Sequence, residues 1–361
     1  MKALIAAGGR ATRLRPITWT TNKHLIPLAN KPMLEHAIKK IAEAGITEIA
    51  INVNPGEVEL MRNVFGDGSQ WGVNISYIEQ SGGPKGIAHV VNKAKAFLGD
   101  EPFMFYLGDN IILGSLKKFV AGFIEGGHNC FLAFSKVKDP QRFGVPAFDA
   151  AGNLTHVVEK PTEPPSDYAV TGIYLYDKTF FDAFEQIQPS PRGEYEITDV
   201  NTWMLQNGKS VGWEEITGWW KDTGTPEAIL EGNASILSDL SHDTFVVEGA
   251  VDPTARLQGM VQVGKGAVIG PGCLIRGPVT IGEDAVLENA YVGPYTSIGS
   301  RCVIRNAEIE HSIVFDDASI CDTPRIVDSL IGYKAQLTST AVSKPDSAHR
   351  MIIGDNSYLE L

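Results

Sequence analysis

Met1-Lys-Ala-Leu-Ile-Ala-Ala-Gly-Gly-Arg-Ala-Thr-Arg-Leu-Arg-Pro-Ile-Thr18, running on to Asn22-Lys-His-Leu-Ile-Pro27, is the stretch on which the reading of this chain turns. The apolar run from Ala3 to Ala7 does not alternate with polar residues, the pattern of a strand covered on both faces of a parallel sheet. It ends in Gly8-Gly9, where missing side chains let backbone amides approach an anion closely. Thr12, Arg13 and Arg15 follow, and Lys23 closes the stretch. A strand, a glycine turn and several cations make a site for a polyphosphate. It is not a Walker loop, which needs Gly-Lys-Ser/Thr after four spacer residues. Nor is it the Gly-x-Gly-x-x-Gly dinucleotide fingerprint.

Downstream, strand and helix patterns alternate. A helix is expected over 34–44, strands over Glu48–Val53 and Asn74–Glu79, and a helix over 86–97. A central strand then runs through Phe103-Met-Phe-Tyr-Leu107 to Asp109, with a further strand over 129–137. Such alternation predicts an α/β domain with a mainly parallel sheet and helices on both faces. Ligands of these folds sit beyond the carboxyl ends of the strands, where Gly8-Gly9 and Asp109 fall.

After about residue 245 the texture changes. Val263-Gly264, Ile269-Gly270 and Ile275 step by six, as do Ile275, Ile281-Gly282 and Leu287. The register skips by one before Val292-Gly293, Ile298-Gly299 and Ile304 resume it. An aliphatic residue followed by glycine every six positions is the hexapeptide repeat of a left-handed parallel β-helix, here of roughly five coils. The expected organisation is therefore residues 1–240, 245–340 and an irregular tail over 341–361 that ends in a short apolar strand.

Composition narrows the function classes. The chain has 361 residues, 43% hydrophobic and 20% charged, with a net charge of −12. That balance argues against nucleic acid or an anionic membrane as partner. No run of about 18 apolar residues predicts a membrane span. A strand beginning at residue 2 leaves no place for a secretory signal. Cys130, Cys273, Cys302 and Cys321 are far apart, without metal-ligand spacing, and read as reduced core thiols of a cytoplasmic protein.

The pattern Gly-Gly-x-Gly-Thr-Arg-Leu-x-Pro, followed by a lysine before Leu-x-Pro, resembles the signature of the sugar-phosphate nucleotidylyltransferases. Within them it is most similar to the glucose-1-phosphate thymidylyltransferases in the long form with a C-terminal extension. One residue departs from the signature. Ala11 stands where the third glycine is usual, and alanine carries a steric cost if that backbone needs a positive φ.

The resemblance implies a Rossmann-like nucleotidyltransferase domain and assigns roles residue by residue. Arg13 and Lys23 would act on the triphosphate as the catalytic cations. Gly8, Gly9, Ala11, Thr12, Gln80, Gly86 and Asp109 would bind the nucleotide, Gln80 offering an amide that both donates and accepts to a pyrimidine. Gly144, Glu159, Lys160, Val170, Gly172, Arg192 and Trp220 would surround the sugar phosphate. Asp109, in Leu107-Gly-Asp-Asn110, and Asp222, in Trp219-Trp-Lys-Asp-Thr-Gly-Thr225, would hold Mg²⁺, a hard cation that takes one or two carboxylates with phosphate oxygens and water.

Phe143 stands where the short forms tend to show Tyr. His89 replaces a glutamine and is expected to be a neutral helix residue. Thr198-Asp199 reads as a helix N-cap.

The implied reaction joins dTTP to glucose 1-phosphate, with UTP or an amino-sugar phosphate as rival substrates. A non-catalytic regulatory homologue would have lost the charges at Lys23, Asp109 and Asp222, all of which are present. Hexapeptide helices are often acyltransferases, but His311 occupies a rung position and reads as structural. The extension is expected to serve oligomerisation, as a homo-oligomer, or regulation.

Overall fold

The computed structural model describes residues 1–9, 11–83, 85–216, 218–339 and 351–360. The first part of the expected tail, 341–350, lies outside the described residues. The chain forms two compact units, one of Met1–Gly9 with Leu34–Asp222, the other of Arg10–Met33 with Thr223–Leu361. The opening stretch is thus divided between them at Gly9. No described helix is long and apolar enough to cross a membrane.

The first unit is built on a seven-stranded sheet of β1 (Lys2–Ala6), β2 (Glu48–Val53), β3 (Asn74–Glu79), β4 (Phe103–Leu107), β5 (Cys130–Lys136), β6 (Tyr168–Tyr176) and β7 (Val211–Glu215). Its spatial order is β7-β5-β6-β4-β1-β2-β3. β1 pairs in parallel with β2 and β4, β2 with β3, and β5 with β7. Only β6 is antiparallel to its neighbours. The mainly parallel sheet therefore carries one reversed strand that the alternation pattern did not reveal.

Ala3, Leu4 and Ile5 are fully buried, as a central strand covered on both faces requires. A core of Leu4, Phe103, Phe105, Leu132, Tyr176 and Phe180 packs around it. The expected 86–97 helix is two shorter pieces, Ile87–Lys93 and Lys95–Leu98, separated at Ala94.

Beside the main sheet lie two ladders that carry site residues. Asn110–Ile112 pairs antiparallel with Trp220–Asp222, and Gly144–Phe148 with Leu154–Glu159.

The second unit contains the β-helix. Its short strands form three parallel sheets of seven, five and six strands, reaching from Ala250–Val251 to Tyr358–Glu360. The coil thus runs further than the roughly five turns expected, because Ile352–Ile353 and Tyr358–Glu360 add to two of the sheets. One inward stack is Val263, Ile281, Ile298, Val314 and Ile331; a second is Ile269, Leu287, Ile304, Ile320 and Leu337. Ile275, Val292, Ile309 and Ile326 form the third. Each of these residues is within 2% of complete burial. The six-residue period places them inward because each flat face takes one hexapeptide.

Corners of the β-helix are formed by left-handed residues stacked one coil above another. Asp284, Arg301, Asp317 and Lys334 have φ of 55°, 57°, 62° and 58°. Asn289, Asn306 and Asp322 form a second column, joined by side-chain hydrogen bonds of 2.9 and 2.6 Å. In a third, His311 has φ 46° and its Nδ1 meets Asp328 Oδ1 at 2.5 Å. The His311–Asp328 pair is therefore one rung of a corner column, in keeping with a structural role.

Candidate functional site

In the first unit, two strand ends bring nucleotide-site candidates together. β1 runs directly into Gly8-Gly9, and β3 into Gln80. A Cβ placed on Gly8 would lie 2.9 Å from Gln80 Oε1 and 3.3 Å from Asn54 Oδ1. A side chain at Gly8 would therefore displace the Gln80 amide. Gly9 has φ +110°, which only glycine adopts readily. The Gly9 amide donates to Asn54 Oδ1 at 2.8 Å, and Asn54 Nδ2 donates back to Gly9 O at 3.2 Å. Asn54 thus braces the turn from both sides. Asn52 Oδ1 is buried beside Gly8 and, among the described residues, has no hydrogen-bond partner.

Gly86, expected against the base, gives room to the backbone of Tyr195, whose carbonyl oxygen would be 2.5 Å from an added Cβ. His89 is buried with its ring stacked on Tyr195. Burial, with Lys93 and Lys85 adding to it, holds the His89 pKa below its ordinary value, so the imidazole is neutral at pH 7.

The second group is organised by Asn110, which is 3% exposed. Its Oδ1 accepts from Trp220 Nε1 at 2.8 Å and from the Gly172 amide at 3.3 Å, while its Nδ2 donates to Asp109 Oδ1 at 2.9 Å. Tyr106 Oη donates to the Asn110 carbonyl at 2.8 Å. Asp222 stands directly opposite Asn110 in the antiparallel ladder, so Asp109 and Asp222 are one residue apart across two strands. The register of β6 against β5 shifts between Val170 and Tyr174, and Gly172 lies in that irregularity. A Cβ there would fall 2.6 Å from Asn110 Nδ2 and 2.8 Å from Leu107 Cβ. Bulges of this kind re-aim backbone next to active sites.

A third group surrounds an open cleft of about 750 Å³ lined by Glu159, Lys160, Ile187, Arg192, Glu196 and Asp199, among others. Gly144 pairs directly with Glu159, and Thr198 Cγ2 would be 2.8 Å from a Cβ at Gly144. Arg192 Nη2 lies 2.8 Å from Glu196 Oε1, 3.4 Å from Glu159 Oε1 and 3.8 Å from Glu194 Oε2. Lys160 Nζ is 2.9 Å from Glu159 Oε1. Both cations therefore sit among carboxylates.

Burial, together with Glu196 and Glu159, pushes the Asp199 carboxyl above its usual range. The helix here begins at Ile197 with Glu196 as N-cap and no side-chain capping bond, so Thr198-Asp199 is not the cap expected. Val170 is a buried strand residue paired with Phe134. Trp220 is 9% exposed and packs edge-on to Phe143.

Ala11, Thr12, Arg13 and Lys23 belong to the second unit. Ala11 has φ 43° and ψ 45°, the left-handed conformation that its signature glycine would adopt without strain. Thr18 Oγ1 donates to its carbonyl at 2.8 Å. Thr12 and Arg13 are exposed in the turn Thr12–Leu14, whereas Lys23 is 9% exposed and opens the turn Lys23–Leu25. Asn22 Oδ1 caps that turn, accepting from the His24 amide at 2.8 Å.

Sequence reasoning missed Asn54 and Asn110 as parts of these groups. Asn110 had a signal, since it follows Asp109 at the end of a buried strand.

Two carboxylates adjacent across a ladder suit a cation that completes its shell with phosphate oxygens and water. Among the described residues no group of three or more His, Cys, Asp or Glu side chains could hold a metal alone.

The profile of the family described as nucleotidyl transferase matches residues 2–239. The chain belongs to that family. It is 43% identical, over all of both chains, to the low-salt glycan biosynthesis nucleotidyltransferase Agl11 of Haloferax volcanii. It is 41% identical to a glucose-1-phosphate thymidylyltransferase of Streptomyces antibioticus, over 100% of this chain and 99% of the relative.

A crystal structure assigned to a glucose-1-phosphate thymidylyltransferase of Bacillus anthracis, in complex with sucrose, superposes with a TM-score of 0.61 at 38% identity. That match covers 65% of this chain and 94% of the other. A UDP-glucose pyrophosphorylase complexed with UDP-glucose shares the fold, with a TM-score of 0.59 at 24% identity, over 66% of this chain and 99% of the other. The protein is a nucleotidyltransferase.

Proposed function

We propose that this nucleotidyltransferase moves a thymidylyl group from dTTP to α-D-glucose 1-phosphate, giving dTDP-glucose and pyrophosphate. The observation that carries the reading is the Asn110 cluster, which brings Asp109, Asp222, Gly172 and Trp220 to one place in the first unit. Full-length similarity to proteins named glucose-1-phosphate thymidylyltransferase supports the choice of substrates.

In this reaction a phosphate oxygen of the sugar phosphate forms a bond to the α-phosphorus. The bridging bond to the β-phosphate breaks and pyrophosphate leaves with the electron pair. The nucleophile is already anionic at neutral pH, so no general base or covalent residue is needed. The protein supplies position and charge. Gly8-Gly9, braced by Asn54, would present backbone to the nucleotide, with Gln80 reading the base. Arg13 and Lys23 are the cations assigned to the triphosphate, each worth about 10² to 10³ in rate.

Asp109 and Asp222 would hold Mg²⁺, which when bound neutralises phosphate oxygens. Asn110 would orient Asp109 through its Nδ2. Glu159, Lys160 and Arg192 would meet the sugar phosphate, where Arg192 would exchange part of its carboxylate pairing for the incoming phosphate.

Pyrophosphate release with glucose 1-phosphate and Mg²⁺, compared across dTTP, UTP, CTP, ATP and GTP, tests the reading. Strong preference for dTTP supports it. Equal or better turnover with UTP moves the enzyme to UDP-glucose. Silence with every nucleotide refutes glucose 1-phosphate as the substrate.

A further inference from the structure

Among the described residues, the segment with Arg13 and Lys23 is fastened within its own unit on either side of Lys23. On the far side, Asn233 of the helix Pro226–Asp239 is completely buried. Its Oδ1 accepts from the Ala29 amide at 2.8 Å and from Ser297 Oγ at 2.7 Å, and its Nδ2 donates to Tyr295 O at 2.9 Å. Asn30 Nδ2 donates to Ile298 O at 2.7 Å. The Ala29 and Asn30 bonds tie the hairpin of Pro27–Leu28 and Lys31–Pro32 to that helix and to the β-helix, and the other two tie the helix to the same coil.

On the near side the fastening is a single carboxylate. Asp355 Oδ2 accepts from Thr20 Oγ1 at 2.7 Å and from Thr21 Oγ1 at 2.8 Å, while its Oδ1 accepts from the Tyr333 amide at 2.9 Å. Neighbouring Gly354 lies against Pro16, where an added Cβ would be 3.4 Å from Pro16 Cβ. Asp355 sits between the last two described strands, Ile352–Ile353 and Tyr358–Glu360. Hydrogen bonds to an ionised acceptor are short and roughly twice as strong as neutral ones. A carboxylate that takes two adjacent hydroxyls therefore fixes the backbone of Thr20 and Thr21, two to three residues before Lys23. Nothing in the hexapeptide repeat calls for this contact.

We propose that Asp355 is a positioning residue for nucleotidyl transfer. Through Thr20 and Thr21 it holds the Asn22–Lys23 turn in the conformation that engages the triphosphate, so that the final coil of the β-helix sets nucleotide use. This rests on the reading of Lys23 as a triphosphate ligand. A cation displaced by about 1 Å costs on the order of 10² in rate.

The test compares Asp355→Ala, the pair Thr20→Val with Thr21→Val, and the pair Thr20→Ser with Thr21→Ser in the full chain. Steady-state kinetics in both substrates and hydrogen–deuterium exchange over residues 16–24 are read together. Asp355→Ala and the valine pair are expected to lower kcat/KM for dTTP about tenfold to a hundredfold, leave KM for glucose 1-phosphate within about twofold, and speed exchange over 16–24. The serine pair, which keeps both hydroxyls, is expected to restore wild-type values.

Wild-type dTTP kinetics in a folded valine-pair variant would overturn the proposal, as would equal losses in both substrates that track the melting temperature. A wild-type chain that turns over no nucleotide would refute the proposed function and this role with it. Active wild type with unaffected variants refutes this role alone.

Discussion

The β-helix and the strand-end site of the α/β unit are both made of buried residues, but they are specified in different ways. In the β-helix, Ile269 stacks on Leu287, Leu287 on Ile304 and Ile304 on Ile320, at separations of 18, 17 and 16 residues. Any one position predicts its neighbours, because the coil repeats. At Asn110 the partners are Asp109, Gly172 and Trp220, at separations of 1, 62 and 110 residues, and no period connects them. A repeat spreads its stability over many equivalent contacts, whereas a cluster of this kind concentrates several obligations on one amide. The first arrangement should lose stability in graded steps and the second should lose function abruptly.

The most severe way to test that contrast is Asp222→Asn. The backbone pairing of Trp220–Asp222 does not need the carboxylate, so the fold and melting temperature should be retained. Mg²⁺-dependent pyrophosphate release should fall by about 10³ or more, some 4 kcal/mol of barrier. Near-normal turnover would remove Asp222 from the site.

Ile304→Ala in the β-helix should show the opposite profile. Ile304 is fully buried in a stack, and large-to-small changes there cost about 2–5 kcal/mol. Chemical denaturation should reveal that loss, with kcat of the remaining folded enzyme little changed. A collapse of kcat at full folding would break the distinction between the two regions.

Gly172→Ala should fall between them. The added methyl meets Asn110 and Leu107 at distances that force a shift, and overpacking of this kind costs about 1–3 kcal/mol. Because the shift falls on Asn110, turnover should decline more than stability does. Kinetics and melting measured on the same preparation decide which is affected more.

The smallest effect is expected at Asp199. Burial and the neighbouring Glu196 and Glu159 raise its folded-state pKa, so its ionised form is disfavoured in the native protein. A raised carboxyl pKa costs stability above the folded pKa, and the cost fades as pH falls below the unfolded value. Asp199→Asn should therefore raise the melting temperature slightly at pH 7 and lose that gain near pH 3. An equal gain at both pH values would exclude titration as the cause.

Much of this was legible in the sequence, for reasons that differ between the units. The inward stacks were read from an aliphatic–glycine period, and the central strand from five apolar residues before Gly8-Gly9. The reversal of β6 was not legible, since strand direction leaves no mark on an apolar run such as Tyr168–Tyr176. Asn54 and Asn110 escaped because an asparagine near a strand end reads as a turn former until its partners are known. The sharing of Asp355 by Thr20 and Thr21 spans more than 300 residues, and neither end has a recognisable motif.

The corner column Asp284, Arg301, Asp317 and Lys334 alternates in sign along the axis, with Arg301 Nε 2.7 Å from Asp317 Oδ1. The aliphatic interior would accept the loss or gain of a whole coil, since every layer offers the same greasy face to the next. The column would not. Excising the coil that contains Arg301 would set Asp284 over Asp317, and excising the one that contains Asp317 would set Arg301 under Lys334. The parity of the coil count is thus written on the outside of the solenoid, since losing one coil brings like charges together while losing two restores the alternation.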